Sequence, residues 1–445
     1  MTTTRRHFLK TASLAAVATQ LDWVHAADTT SSQFKNLIAP GKKMRIAGIG
    51  VGGKGESDIN ACADVGEQIV ALCDVDFDRA RKTFEKFPMA ARYRDFRQML
   101  QEMKDEIDGV VISTPDHMHF PAAMMAIEMG KHAYIQKPLT HTIAEARELS
   151  AATAKAQVVT QMGNHGHANE GTRLIKEWIE AGVIGNVHTV HMWTNRPIWP
   201  QGIDLPSEVQ PVPDTLDWNL WQGVAPTRGY NKAFVPFAWR AWWDYGCGAL
   251  GDMGCHLMDA PFWALNLRGD FRVSAETSGE NQVCAPKWSI VRYEFPQRGD
   301  LIPCSVSWFD GGVKPPVPGE YGDGPLPGGG TFYYGDKGIL FSPGDYSESP
   351  QLLPKERMDT FKNRPKKTYR RIKGANPHRE WIEACKGGPI PGSNVVEHAA
   401  PLTEFVLAGN LAIRAGKPLI WDSTRGVCVG APEFDRLINK NYRVF

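Results

Sequence analysis

The chain has 445 residues with 50 basic and 49 acidic side chains, a balance that lacks the electrostatic footprint of a nucleic-acid binder and leaves small molecules or proteins as partners. Its length exceeds one ordinary core and predicts two domains. Eight cysteines include no Cys-x-x-Cys pair, which argues against a zinc ribbon or redox couple; buried free thiols without a disulfide are expected.

Residues 1–26 resemble a twin-arginine export signal: Arg5-Arg6 is followed by Phe8-Leu9-Lys10, an apolar stretch from Leu14 to Val24, and a small-residue exit at Ala26. This predicts a periplasmic or extracellular protein that travels already folded. No later run reaches the roughly 18 apolar residues of a membrane span, so no membrane-crossing segment is expected. Residues 27–43, rich in Ser, Thr and Lys, read as a linker.

From Met44 the chain turns apolar and predicts a buried strand ending at Ile49. Gly50, Gly52 and Gly55 follow in Gly-x-Gly-x-x-Gly spacing, with Gly53 between, and a helix-compatible segment runs to Val65. Such glycines permit a tight turn, close approach of the backbone to a pyrophosphate, and close packing of helix on strand. Gly48, Gly50 and Gly53 also fit the pattern, but leave a shorter strand before the turn. A second strand, Gln68 to Cys73, ends at Asp74, where a carboxylate accepts ribose hydroxyls and repels a 2′-phosphate; this favours NAD over NADP.

Further βα units follow. Gly109 to Ser113 runs into Thr114, Pro115 and His119, and Ala133 to Ile135 ends at Gln136-Lys137-Pro138, before a helix opened by a Thr142/Glu145 capping box. Ligands of an open parallel sheet sit beyond its carboxyl ends, which places Thr114, Pro115, His119 and Lys137 around a cofactor crevice.

Taken together, Gly50-Val51-Gly52-Gly53-Lys54-Gly55, Ala71-Leu72-Cys73-Asp74, Thr114 to His119 and Gln136-Lys137-Pro138 resemble the Gfo/Idh/MocA oxidoreductases, a family named for glucose–fructose oxidoreductase and inositol dehydrogenase. The resemblance implies oxidation or reduction of sugar or cyclitol hydroxyls with NAD(P), a homo-oligomer, no metal, and catalytic roles for Lys137, Asp252 and His256. Gln136 departs from the usual Glu-Lys-Pro and removes a negative charge beside the lysine. Independently, Asp252, His256, Asp259 and Trp263 recur at helical spacing and predict one polar stripe facing a cleft, with Asp252 orienting His256.

The expected fold is α/β plus α+β: a Rossmann dinucleotide-binding domain (44–163), then an open, mostly antiparallel sheet domain with helices on one face (164–375), then helices packing back on the body (376–445). Asn164 and His167, at the domain junction, and Arg196, Trp199, Arg240, Trp243 and Asp259 are substrate candidates, because indoles stack on pyranose CH faces while Arg, Asn and Asp bond hydroxyls. The pairs His117-x-His119 and His165-x-His167 have no third ligand at recognisable spacing, so no metal is expected. Residues 311–330, with eight glycines and five prolines, predict a long irregular loop, either a lid or an inter-subunit arm.

The functional expectation is an exported NAD-dependent oxidoreductase acting on a sugar or glycoside hydroxyl, with tightly held cofactor. The alternative is a redox-neutral, NAD-dependent glycosidase that works by oxidation, elimination, water addition and re-reduction. A non-catalytic sugar-binding module is the third reading.

Overall fold

The computed structural model describes residues 33–279 and 281–445, so the export signal and the start of the linker lie outside the described residues. The part of the linker that is described does not run free. Ile38 donates its N–H to Cys385 at 2.8 Å, Lys35 to Gln157 at 2.7 Å, and Phe34, Leu37 and Ile38 pack on the first core.

The first domain is built on six strands: β1 (Arg45–Ile49), β2 (Gln68–Cys73), β3 (Ala91–Tyr93), β4 (Gly109–Ile112), β5 (His132–Ile135) and β6 (Thr160–Met162). They form one parallel sheet in the order β3-β2-β1-β4-β5-β6. Strands β4 and β5 are buried along their whole length, because helices cover both faces of a parallel sheet; hence their unbroken apolar character. Two of the intervening helices have clear local signals. Helix Lys54–Val65 closes on Gly66 at φ 108°, and helix Ile143–Ala156 opens on the Thr142/Glu145 capping box.

The second sheet has nine strands: β7 (Val187–Trp193), β8 (Phe271–Thr277), β9 (Ser289–Phe295), β10 (Cys304–Phe309), β11 (Gly330–Gly335), β12 (Gly338–Pro343), β13 (Gln351–Leu353), β14 (Leu419–Asp422) and β15 (Val427–Cys428). Their order is β13-β12-β11-β7-β10-β9-β8-β14-β15, antiparallel except for the β7/β10 pair.

The segment 376–445 is therefore more than terminal helices, since it adds β14 and β15 to the sheet edge. Its long helix, Ala400–Ala415, packs on helix Ile143–Ala156 of the first domain and on helix Gly248–Leu257, β8 and β9 of the second. Leu402, Phe405, Val406 and Leu411 are buried at that junction, each contributing about 1.5–3 kcal/mol, so one continuous apolar core ties the two sheets together.

Two further expectations meet a clear outcome. All eight cysteines are free and buried. The Gly/Pro-rich 311–330 loop lays Tyr321 and Leu326 on Trp193, Phe332 and Phe341, with the Lys314 ammonium donating to the Leu326 carbonyl at 2.7 Å; it lines neither cavity described below. No helix among the described residues is long and apolar enough to cross a membrane.

Candidate active site

A cavity of about 400 Å3 opens at the carboxyl ends of β1, β2, β4 and β5. Its floor is the glycine turn. Strand β1 ends at Ile49, and Gly50 turns the chain at φ 75°, where a Cβ would lie 2.9 Å from the Ser113 carbonyl oxygen. A Cβ on Gly55 would lie 1.8 Å from the Gly50 carbonyl oxygen, so helix Lys54–Val65 can meet the turn only through hydrogen. Gly52 and Gly53, the latter at φ 62°, leave room for the Arg79 side chain and backbone.

Asp74 ends β2 and is buried, accepting N–H groups from Gly52 at 2.9 Å and Asp76 at 3.0 Å. Burial pushes its carboxyl up to about 6, against those two bonds. Each oxygen retains acceptor capacity for a ribose hydroxyl. The Thr114 hydroxyl, on the same cavity, is buried without a partner, which marks a place for a ligand atom. The glycine turn, the buried carboxylate and the unpartnered hydroxyl fit a dinucleotide, which Gly50, Gly52, Gly53, Asp74, Thr114 and Pro115 would hold, while Gly55 serves the packing of helix on turn.

Lys137 reaches the other end of this cavity from the end of β5. Its Nζ donates to the Asp252 main-chain oxygen and to Asp252 Oδ1, each at 2.8 Å, while Arg240 Nε donates to the same Oδ1 at 3.0 Å. Burial would raise the Asp252 carboxyl, but Lys137 and Arg240 outweigh it and hold the group well below the usual carboxylate range. The Arg240 guanidinium also lies 4.3 Å from the ring centroids of both Trp239 and Phe237, which form an aromatic rim. Asp116 lies close by, buried; burial raises its carboxyl to about 7 against Lys137 and Arg240.

His256, one turn after Asp252 on helix Gly248–Leu257, packs against His165 and Tyr346, with ring centroids 5.3 and 4.9 Å away. Burial, with Lys137 and His165 nearby, drives its pKa well down, so the imidazole is neutral, and its Nδ1 is buried without a partner. Asp252 therefore does not orient His256. Its carboxylate is taken by Lys137 and Arg240.

Residues 44–164 match the family model described as an oxidoreductase family with an NAD-binding Rossmann fold, and residues 171–302 match its C-terminal alpha/beta domain, together more than half of the chain. The chain belongs to the Gfo/Idh/MocA oxidoreductase family. Its first domain is an NAD-binding Rossmann domain.

Among Gfo/Idh/MocA-related sequences, a "Glycosyl hydrolase family 109 protein" from Shewanella pealeana is 29% identical over 200 residues, covering 41% of this chain and 44% of that protein. An "Alpha-N-acetylgalactosaminidase" from Shewanella oneidensis is 30% identical over 203 residues, again 41% of this chain and 44% of the relative. The match thus spans less than half the length of these relatives. In fold, the chain resembles the WlbA dehydrogenase from Bordetella pertussis, in complex with NADH and UDP-GlcNAcA, at TM-score 0.60 and 17% identity, covering 85% of this chain and 98% of that one.

Several sequence-predicted residues sit elsewhere. His119 is buried, with its ring nitrogens 2.7 Å from the Pro138 carbonyl and 2.8 Å from the Thr114 carbonyl, so it braces two strand-end loops rather than lining the crevice. Trp243 donates to the Asn281 carbonyl at 3.1 Å and lines a separate cavity of about 280 Å3. Trp199 is buried, bonded to Gln201 at 3.0 Å, one layer behind the Phe237 rim.

The polar stripe also divides. The helix breaks at Met258, and Asp259 turns away from the cleft to His167 Nδ1, 3.0 Å from each carboxylate oxygen, and to His398 Nε2 at 2.5 Å. All three are buried, which makes His167 and Asp259 parts of an internal His–Asp–His cluster. Their ligand-type atoms lie within 4.8 Å of one another, but the direct separations are those of charge-assisted hydrogen bonds. Trp263 packs against this cluster with its ring tilted 45° to His167, centroids 5.0 Å apart.

Asn164 is also interior: its Oδ1 accepts from the Ser393 hydroxyl at 2.5 Å. Arg196 is half-buried and lies close enough to Asp345 and Tyr346 to influence both electrostatically.

Gln136 does not pair with the lysine ammonium; its Oε1 accepts from the Lys137 main-chain N–H at 3.4 Å. Its Nε2 donates at 2.9 Å to Asp58, a fully buried carboxylate that also meets Lys54 at 2.6 Å, Ser113 at 2.8 Å and His378 at 3.1 Å. Burial would raise Asp58, but His378 and Lys54 hold it at about 2. The negative partner that the lysine lacks at position 136 is supplied by Asp252 instead. Asp58 meets Lys54 one turn back in its own helix, but Ser113, Gln136 and His378 reach it from other elements, as His165 and His256 reach Tyr346.

Proposed function

We propose that the protein is an exported NAD-dependent oxidoreductase acting on a hydroxyl of a sugar or glycoside, with its cofactor retained between turnovers. The observation that carries this reading is the Lys137–Asp252–Arg240 cluster, whose Lys137 and Arg240 line one cavity with the glycine turn and Asp74. When bound, NAD supplies a hydride acceptor and donor beside a hydroxyl-bearing carbon.

The chain's own residues handle the proton and the charge. Two of the three hydrogens on the Lys137 ammonium are committed to Asp252, which leaves one position on Nζ for a substrate hydroxyl. Lys137 is the group placed to hold and move the hydroxyl proton. Arg240 adds a second positive charge where negative charge develops on that oxygen. Neutral His256 stands outside the lining of this cavity, against His165 and Tyr346, with its buried Nδ1 unpartnered. Trp239 and Phe237 offer apolar surface to a pyranose ring.

Export rests on Arg5-Arg6 and the signal-like residues after them. Outside the cytoplasm no NAD pool exchanges with the enzyme, so the retained cofactor must be restored in place. Changing Arg5 and Arg6 together to Lys should hold the protein in the cytoplasm; unchanged fractionation would sink this part of the proposal.

A second reading, net glycoside hydrolysis with no net redox change, is favoured by the relatives named glycosyl hydrolase family 109 and alpha-N-acetylgalactosaminidase. Incubating cofactor-loaded protein in D2O with a glycoside panel that includes an α-N-acetylgalactosaminide, without added NAD, separates the two. Sugar release with deuterium incorporation selects hydrolysis. Stoichiometric NADH without release selects net oxidation. Sugar binding with neither product would reject both in favour of a binding module.

A further inference from the structure

The cavity has a wall contributed from far along the chain. Phe445 lines it on the side of Asp74, together with Val75, Arg94 and Phe96. Its position is determined. The Arg97 guanidinium lies 4.1 Å from the Phe445 ring centroid and donates to the Phe445 main-chain oxygen at 2.5 Å, while Asp95 holds Arg97 from the other side at 2.7 Å.

The residues leading to it are fastened at Lys440, Tyr442 and Arg443. Lys440 pairs with Glu145 and with His141 Nδ1, each at 2.9 Å, and the Tyr442 hydroxyl donates to the same Glu145. Arg443 donates to the carbonyls of Gly223 at 3.0 Å and Ala225 at 3.1 Å, and to the Asn219 side chain at 2.6 Å and main chain at 2.8 Å. A charged side chain making four such contacts is an anchor.

We propose that residues 439–445 form a clasp across the adenine end of the NAD cleft, with Phe445 as a cofactor-contacting residue. The argument follows from position. Asp74 is where the adenosine ribose is held, so the base lies beyond it, on the side where Phe445 and Phe96 supply ring surface. Aromatic faces stack on bases without reading their edges. A ring already immobilised by Arg97 loses little conformational freedom on contact, so it favours slow release. The clasp rests on the retained-cofactor reading above and gives it a structural cause.

The test uses full-length protein loaded with NADH, chased with excess NAD+, and followed by loss of energy transfer from protein tryptophans to NADH. Phe445→Ala should release NADH about tenfold faster than wild type, and Phe445→Trp should stay close to wild type, since losing one aromatic contact is worth about a factor of ten. Arg97→Ala, which leaves the ring but removes its brace, should accelerate release about threefold. If Phe445→Ala loses cooperative unfolding, Arg97→Ala decides. Release within about twofold of wild type in the folded variants overturns the clasp. Wild-type protein that cannot hold NADH overturns both the clasp and the retention reading, whereas slow wild-type release with unchanged variants overturns the clasp alone.

Discussion

Asp252 Oδ1 accepts from Lys137 Nζ at 2.8 Å and from Arg240 Nε at 3.0 Å, so one buried carboxylate aligns the lysine at the end of the Rossmann sheet with an arginine from the second domain. The pair spans the domain junction and ties the geometry of the reacting centre to domain packing. Replacing Lys137 by Met should lower turnover about 10²–10⁴-fold while NAD binding survives, because the glycine cradle and Asp74 are untouched. Steady-state rates beside NADH fluorescence titration check this; a loss of both together would mean that Lys137 serves cofactor binding instead.

Asp74 predicts a pH response. Burial raises its carboxyl to about 6, so in the empty protein its ionised form costs stability above the unfolded value, and that cost disappears as pH falls below about 6. Ribose binding runs the opposite way, since the ionised form is the better acceptor. NAD affinity should therefore weaken as pH drops through about 6, and Asp74→Asn should flatten the profile. Isothermal titration across that range is the measurement; a flat wild-type profile would remove Asp74 from recognition.

Gln136 tests the Asp58 cluster. Gln136→Glu would set a second carboxyl beside buried Asp58, in place of the 2.9 Å hydrogen bond. The introduced carboxyl would have its folded-state pKa raised, so the destabilisation, about 3 kcal/mol, is present above its unfolded value and relieved towards acid. Thermal unfolding should show a larger deficit at about pH 8 than at about pH 5. An equal deficit at both would exclude charge as the cause.

The His167–Asp259–His398 cluster should be structural. His398→Ala removes one of two partners of a buried carboxylate and should cost about 3–5 kcal/mol, visible in chemical denaturation, with NAD affinity unchanged. A stable variant lacking activity would return Asp259 to the catalytic stripe.

The cofactor half was legible because its signals are local. A strand running into three spaced glycines, and a carboxylate at the end of the next strand, depend on backbone sterics within short segments, so Gly50, Gly55 and Asp74 read directly from the chain. The Thr142 capping box is legible for the same reason.

Helical spacing placed Asp252, His256 and Asp259 on one stripe, but periodicity assumes an unbroken helix, and the break at Met258 hands Asp259 to His167 and His398. Partner choice is likewise tertiary. Asp252 lies within one turn of His256, yet its charge is better compensated by Lys137 and Arg240, cations brought in from 115 and 12 positions away. His119 lies at a strand end, where ligands bind, but packing turns it onto two backbone carbonyls.

The sequence by itself determined the family and the glycine turn after the first strand, because these follow from local motifs and steric rules acting over a few residues. Only the tertiary structure decided which carboxylate serves the lysine, why Gln136 is tolerated beside it, and that Phe445 closes the far wall of the cavity. Those are interactions between side chains distant in the chain, whose partners are set by burial and charge compensation once the two sheets share one core.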